Sequence, residues 1–78
     1  MIINQIEGEV HQALRTIVKN KETKALNYCV NYALAGLHMV GHELKDQCLY
    51  VLCNMEHWRG EEAKKVRKVL KHFSQMEK

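Results

Sequence analysis

The chain has no proline in 78 residues, although a globular sequence of this length would usually carry about four. The main breaker of helices is therefore missing, which favours an all-helical chain. Cysteine is scarce and odd in number: Cys29, Cys48 and Cys53. The odd count argues against a disulfide framework and points to a reducing, cytoplasmic setting. Glu7 and Glu9 interrupt the apolar pattern at the start, so the uninterrupted core of a signal peptide is absent. There is no CxxC and no HExxH, and with them go the two strongest zinc signatures. No internal repeat or low-complexity run interrupts the chain.

One stretch, 25–42, lacks a formally charged side chain and reaches the length of a membrane span. Asn27, Asn31, His38 and His42 lie within it, and Gly36 and Gly41 interrupt it. Each polar group would cost several kcal/mol in lipid, so a buried helix followed by a loop is expected, with no membrane partner.

Apolar spacing divides the chain. Ile3, Ile6, Val10, Ala13, Leu14, Ile17 and Val18 recur at three and four, which puts them on one helical face, with Glu7 on the polar remainder. The next segment is apolar nearly all round, with Lys24, Asn27 and Asn31 on a narrow polar arc, and is expected at the centre of the fold. Gly36 then reads as a left-handed helix cap, with Leu37 packing back on Tyr32. Leu44, Cys48, Val51, Leu52, Met55 and Trp58 make a third stripe, and Gly60 separates it from a fourth of Ala63, Val66, Val69, Leu70 and Phe73. Glu61 and Glu62 open that last helix, where its dipole favours acids, and Glu61 stands at pairing distance from Lys65. The expectation is an all-α fold, one domain over 1–78. It consists of four short helices at about 3–19, 22–35, 42–58 and 61–75, the middle two forming an apolar hairpin against which the outer two lean.

Chemistry is hard to place on this pattern. His38 and His42 are separated by a helix-breaking glycine, and Cys48 and Cys53 project about 140° apart on a helix, so neither pair can share an ion. Cys29 and Cys48 face the expected core, where a thiol is a small hydrophobe. Cys53 lies towards an exposed edge with no base assigned to it. No catalytic residue, metal or cofactor is expected.

Two surfaces remain. The polar face of the third helix carries Glu43, Asp46, Gln47, Tyr50, Asn54 and His57, where an aromatic among polar groups can anchor a protein partner. Trp58 is expected inside. The second surface is basic. From His57 onward seven Lys and Arg face three Glu, against five and six in residues 1–56, so the excess charge sits in the last 22 residues. Arg59, Lys64, Lys65, Arg67, Lys68 and Lys71 could neutralise phosphates of a nucleic acid. On the last helix that face carries one arginine, Arg67, and no Asn or Gln, so base readout is not expected. A helix-turn-helix would fit the tight turn at Gly60, but no operator-reading pattern accompanies it. The apolar excess of the two middle helices also suits a homodimer.

The run Cys48-Leu49-Tyr50-Val51-Leu52, continued by Trp58-Arg59-Gly60-Glu61-Glu62-Ala63-Lys64, resembles small phage- or prophage-encoded helical proteins of unknown function. The resemblance covers the central and C-terminal parts and lies in the pattern of apolar and charged residues. It implies a viral accessory protein acting on host machinery, and supplies no site residues. The sequence therefore favours a non-catalytic module that binds a host or phage protein through the outer faces of the third and fourth helices, with a nucleic-acid-binding regulator as the alternative.

Overall fold

In the computed structural model, which describes the backbone of residues 3–26 and 28–76 and the side chains from Ile6 onward among them, the spacings of three and four become four α-helices. These are α1 (Ile3–Lys19), α2 (Cys29–Gly36), α3 (Gly41–Asn54) and α4 (Glu61–Ser74), with a single 3-10 turn at Lys24–Leu26. The fold is all-α. The radius of gyration, 11.3 Å, matches the roughly 11.5 Å of a packed domain of this length.

The helices close a ring: α1 packs on α2 and α4, and α3 packs on the same two. One continuous core fills it, built from Val10, Leu14 and Ile17 of α1, Leu44, Cys48 and Val51 of α3, and Val66, Leu70 and Phe73 of α4. Trp58 is buried in it as expected, and so are Cys29 and Cys48. Asn27, assigned above to a polar face, lies outside the described residues, as does the side chain of Ile3, assigned to the core.

The two middle helices pack on each other as expected, but α2 is not central. α2 is a short, peripheral helix that buries only Cys29, Ala33 and Gly36, while Tyr28, Tyr32 and Leu34 stay exposed. Nor does one helix run over 22–35. Leu26, Cys29, Ala33 and Gly36 keep the three- and four-residue spacing, but the backbone over Lys24–Leu26 tightens to a 3-10 turn closed by Leu26 N–H on the Thr23 carbonyl. Over a single turn, periods of 3.0 and 3.6 place the same residues inward, so spacing does not separate the two.

Gly36 is not a left-handed cap either. Positive φ occurs at Gly41 (64°) and Gly60 (115°), and Gly36 continues the helix. Its role is close approach: a Cβ there would lie 2.8 Å from Leu14 Cδ1 and 3.3 Å from Gln47 Cγ.

α3 stops at Asn54, short of the expected 58. The carbonyls of Met55 and Trp58, just past its end, accept hydrogen bonds from Arg67 Nη2 at 3.1 and 2.9 Å, so a cation from α4 ties down the chain that leaves α3. At the other end of α3, Val40 provides no side-chain cap. The missing partner comes from α1, where Glu7 Oε2 accepts the Gly41 N–H at 2.6 Å. One turn along, His11 Nε2 donates to the Met39 carbonyl at 2.9 Å. Glu7, expected on the polar side of α1, is therefore buried and ties α1 to the α2–α3 loop.

Glu62 is held by the end of α1, with Lys19 Nζ at 3.5 Å and Asn20 Nδ2 donating at 3.0 Å. The expected Glu61–Lys65 pair does not form; among the described residues the ion pairs are Lys19–Glu62 and His42–Asp46.

Candidate protein-binding surfaces

α3 buries Leu44, Cys48 and Val51, and its remaining circumference is shared between two flanks. The flank towards α2 holds most of the polar face nominated from sequence. Gln47 Nε2 donates to the Tyr32 carbonyl at 2.9 Å, which fastens α3 to α2. Tyr50 stacks on Tyr32 with ring centroids 6.0 Å apart and planes 14° from parallel. Asn54 Nδ2 donates to the Tyr50 carbonyl at 2.8 Å. Tyr28, Cys53, Asn54 and His57 line a shallow depression of about 410 Å³. Glu43 and Asp46 are exposed, with Asp46 3.9 Å from His42.

The result is an aromatic flank. Tyr28 is 70% exposed, Tyr50 56% and Tyr32 39%. Stacking removes rotamer freedom from Tyr32 and Tyr50 before any partner arrives, so less ordering remains for binding. Sequence spacing missed Tyr28 and Tyr32, which fell in a segment expected to be central. Their four-residue separation does put them on one side of a helix, and that was the available signal.

The basic residues do not form one face. Lys64 and Lys68 point outward from α4. Lys65 turns towards α1, where with Ala13, Val66 and Val69 it lines a groove of about 350 Å³. Arg59, Arg67 and Lys71 turn towards α3, where with Leu49, Leu52 and Glu56 they line a groove of about 500 Å³. Arg67, nominated as a free cation, is half-buried and engaged with the two loop carbonyls.

Among the described residues no group of three or more His, Cys, Asp or Glu side chains could hold a metal ion. Burial pushes the Cys29 thiol up to about 11 and the Cys48 thiol up to about 12, so neither is a thiolate near neutral pH. Cys53 is the exposed thiol. No helix among the described residues is long and apolar enough to cross a membrane. No family model matches the chain, and neither a curated protein nor a solved structure does.

Proposed function

We propose that this chain is a non-catalytic protein-binding module whose docking face is the tyrosine flank shared by α2 and α3. The observation that carries the reading is the stacked, solvent-facing Tyr32–Tyr50 pair, with exposed Tyr28 four residues before Tyr32. Tyrosine is among the residue types that dominate binding energy at interfaces, because it offers a large rigid area with a polar tip. If the chain is the viral accessory protein that its central pattern resembles, the partner is a protein of the host cell. A second copy of the chain is the other protein that can meet this flank, through a two-fold axis.

The test compares wild type with Tyr28→Ala and Tyr50→Ala in affinity capture, followed by titration of the purified captured protein. Both variants keep the core, so far-UV circular dichroism should not change. The expected result is a loss of affinity of about tenfold or more in each, as for interface anchors. Equal affinity for wild type and both variants would remove the tyrosine flank as the docking face. Sedimentation equilibrium of the free chain separates self-association from binding of another protein.

One observation favours a second reading. Lys64 and Lys68 are exposed and make no ion pair among the described residues, leaving their charge free for phosphates. Nucleic-acid binding through Lys64, Lys65, Lys68 and Lys71 requires an affinity for duplex DNA that falls steeply with salt. Absence of binding at low salt would exclude it.

A further inference from the structure

On the opposite side of α3 from the tyrosines, the groove between α3 and α4 has an apolar floor and a cationic rim. Leu49, 51% exposed, and half-buried Leu52 form the floor. Arg59, Arg67 and Lys71 stand on the rim, with Glu56 as the acid among the lining side chains. We propose that this groove is a docking site for an acidic amphipathic helix, a partner segment with leucine-like residues on one stripe and carboxylates beside it.

Three features fit that occupant. The lining of α4 runs from Arg67 to Gln75, about 12 Å of helix, which is a little over two turns of a partner lying alongside. A trough between two helices receives a third by ridge-into-groove packing, with anchors at i, i+3 and i+4. The charge on the rim is complementary to carboxylates, and one of its cations is positioned in advance. Arg67 Nη2 is fixed by the Met55 and Trp58 carbonyls, so its guanidinium plane is set before a ligand arrives.

The floor distinguishes this occupant from nucleic acid. A duplex backbone presents no apolar side to Leu49 and Leu52, and the lining contains no aromatic ring on which a single-stranded base could stack. Cations alone would suit phosphates, whereas cations around exposed leucines suit an amphipathic acid.

The probe is a fluorescein-labelled synthetic helix of leucine and glutamate, with leucines at i, i+3, i+4 and i+7, titrated with the full chain and followed by anisotropy. A peptide of the same composition with the leucines scattered, and a duplex DNA of equal charge, serve as the other arms. Micromolar binding of the amphipathic helix is expected, with the scattered peptide and the DNA at least about tenfold weaker. Lys71→Glu and Arg59→Glu should each weaken it about tenfold, and Leu49→Ser should weaken it while leaving every rim charge in place. Lys64→Glu, on the outer face of α4, should change it less than about twofold. No binding by wild type, equal binding of the scattered peptide, tighter binding of DNA, or an equal loss in Lys64→Glu and Lys71→Glu would each overturn the proposal. Tyr28→Ala is expected to leave the peptide affinity unchanged, so failure at this groove and failure of the tyrosine flank are read separately.

Discussion

Gly36 and Leu14 meet where α2 crosses α1, with 2.8 Å between the leucine Cδ1 and the place a Cβ would occupy on the glycine. Neither neighbour of that position has room to give way. Leu14 is wholly buried, and Gln47, at 3.3 Å, is held by its bond to the Tyr32 carbonyl. Gly36→Ala should therefore destabilise the fold by about 1–2 kcal/mol in urea titration, despite the better helix propensity of alanine. Leu14→Val removes the clashing methyl, so the double variant should lose about 1 kcal/mol less than the sum of the two single losses. Strict additivity would show that the two residues do not press on each other.

The Glu7 carboxylate supplies α3 with the N-terminal hydrogen bond that Val40 cannot. An acceptor at that position satisfies an orphan N–H, and a negative charge there is favoured by the helix dipole. Glu7→Ala should cost about 1–2 kcal/mol and Glu7→Gln about half as much, since the amide keeps an acceptor but loses the charge. Hydrogen exchange at the Gly41 amide should accelerate in the alanine variant. An unchanged rate there would contradict the capping role.

Most of the helical framework was legible because it depends on local spacing. The stripes of α1 and α4 that periodicity assigns to the core are buried, apart from the half-exposed Val18 and Val69 and undescribed Ile3. Gly41 and Gly60 mark helix starts with positive φ. What spacing could not supply are contacts between residues far apart in the chain. Glu7 reads as an ordinary polar position of α1 until Gly41 arrives 34 residues later, and Arg67 reads as a solvated cation until the end of α3 arrives beside it. α2 was misplaced for a related reason. A segment apolar on every side carries no periodic signal of which side faces outward, so only the assembled ring shows that its tyrosines do. The candidate site was accordingly half legible: Tyr50, Asn54 and His57 were in the pattern of α3, and Tyr28 and Tyr32 were not.

Gly8 is the counterpart of Gly36. It is exposed within α1, with a helical backbone and nothing within 4 Å of an added Cβ. Gly8→Ala should raise stability by about 0.5–1 kcal/mol, by removing freedom from the unfolded chain and improving helix propensity. A neutral or destabilising result would mean that the exposed side of α1 meets another surface in solution.

The three thiols should behave unequally. Cys29 is buried, and its Sγ donates a weak hydrogen bond to the Val51 carbonyl at 3.5 Å. Burial raises its pKa from 9.0 to about 11, and that of Cys48 from 9.0 to about 12. The thiolate is the nucleophile that attacks a disulfide reagent, so at mild pH the folded chain should react quickly at Cys53 alone, and at all three cysteines after denaturation. The same shifts fix a pH dependence. Above about pH 9 the unfolded chain releases protons from Cys29 and Cys48 while the folded chain retains them. The unfolded state then binds fewer protons, and stability falls as pH rises from about 9 until the folded thiols ionise near 11 and 12. Replacing Cys48 with alanine should lower stability at neutral pH through the small cavity it leaves, yet flatten the decline between pH 9 and 11. A decline of the same steepness in that variant would show that the Cys48 proton is not retained on folding.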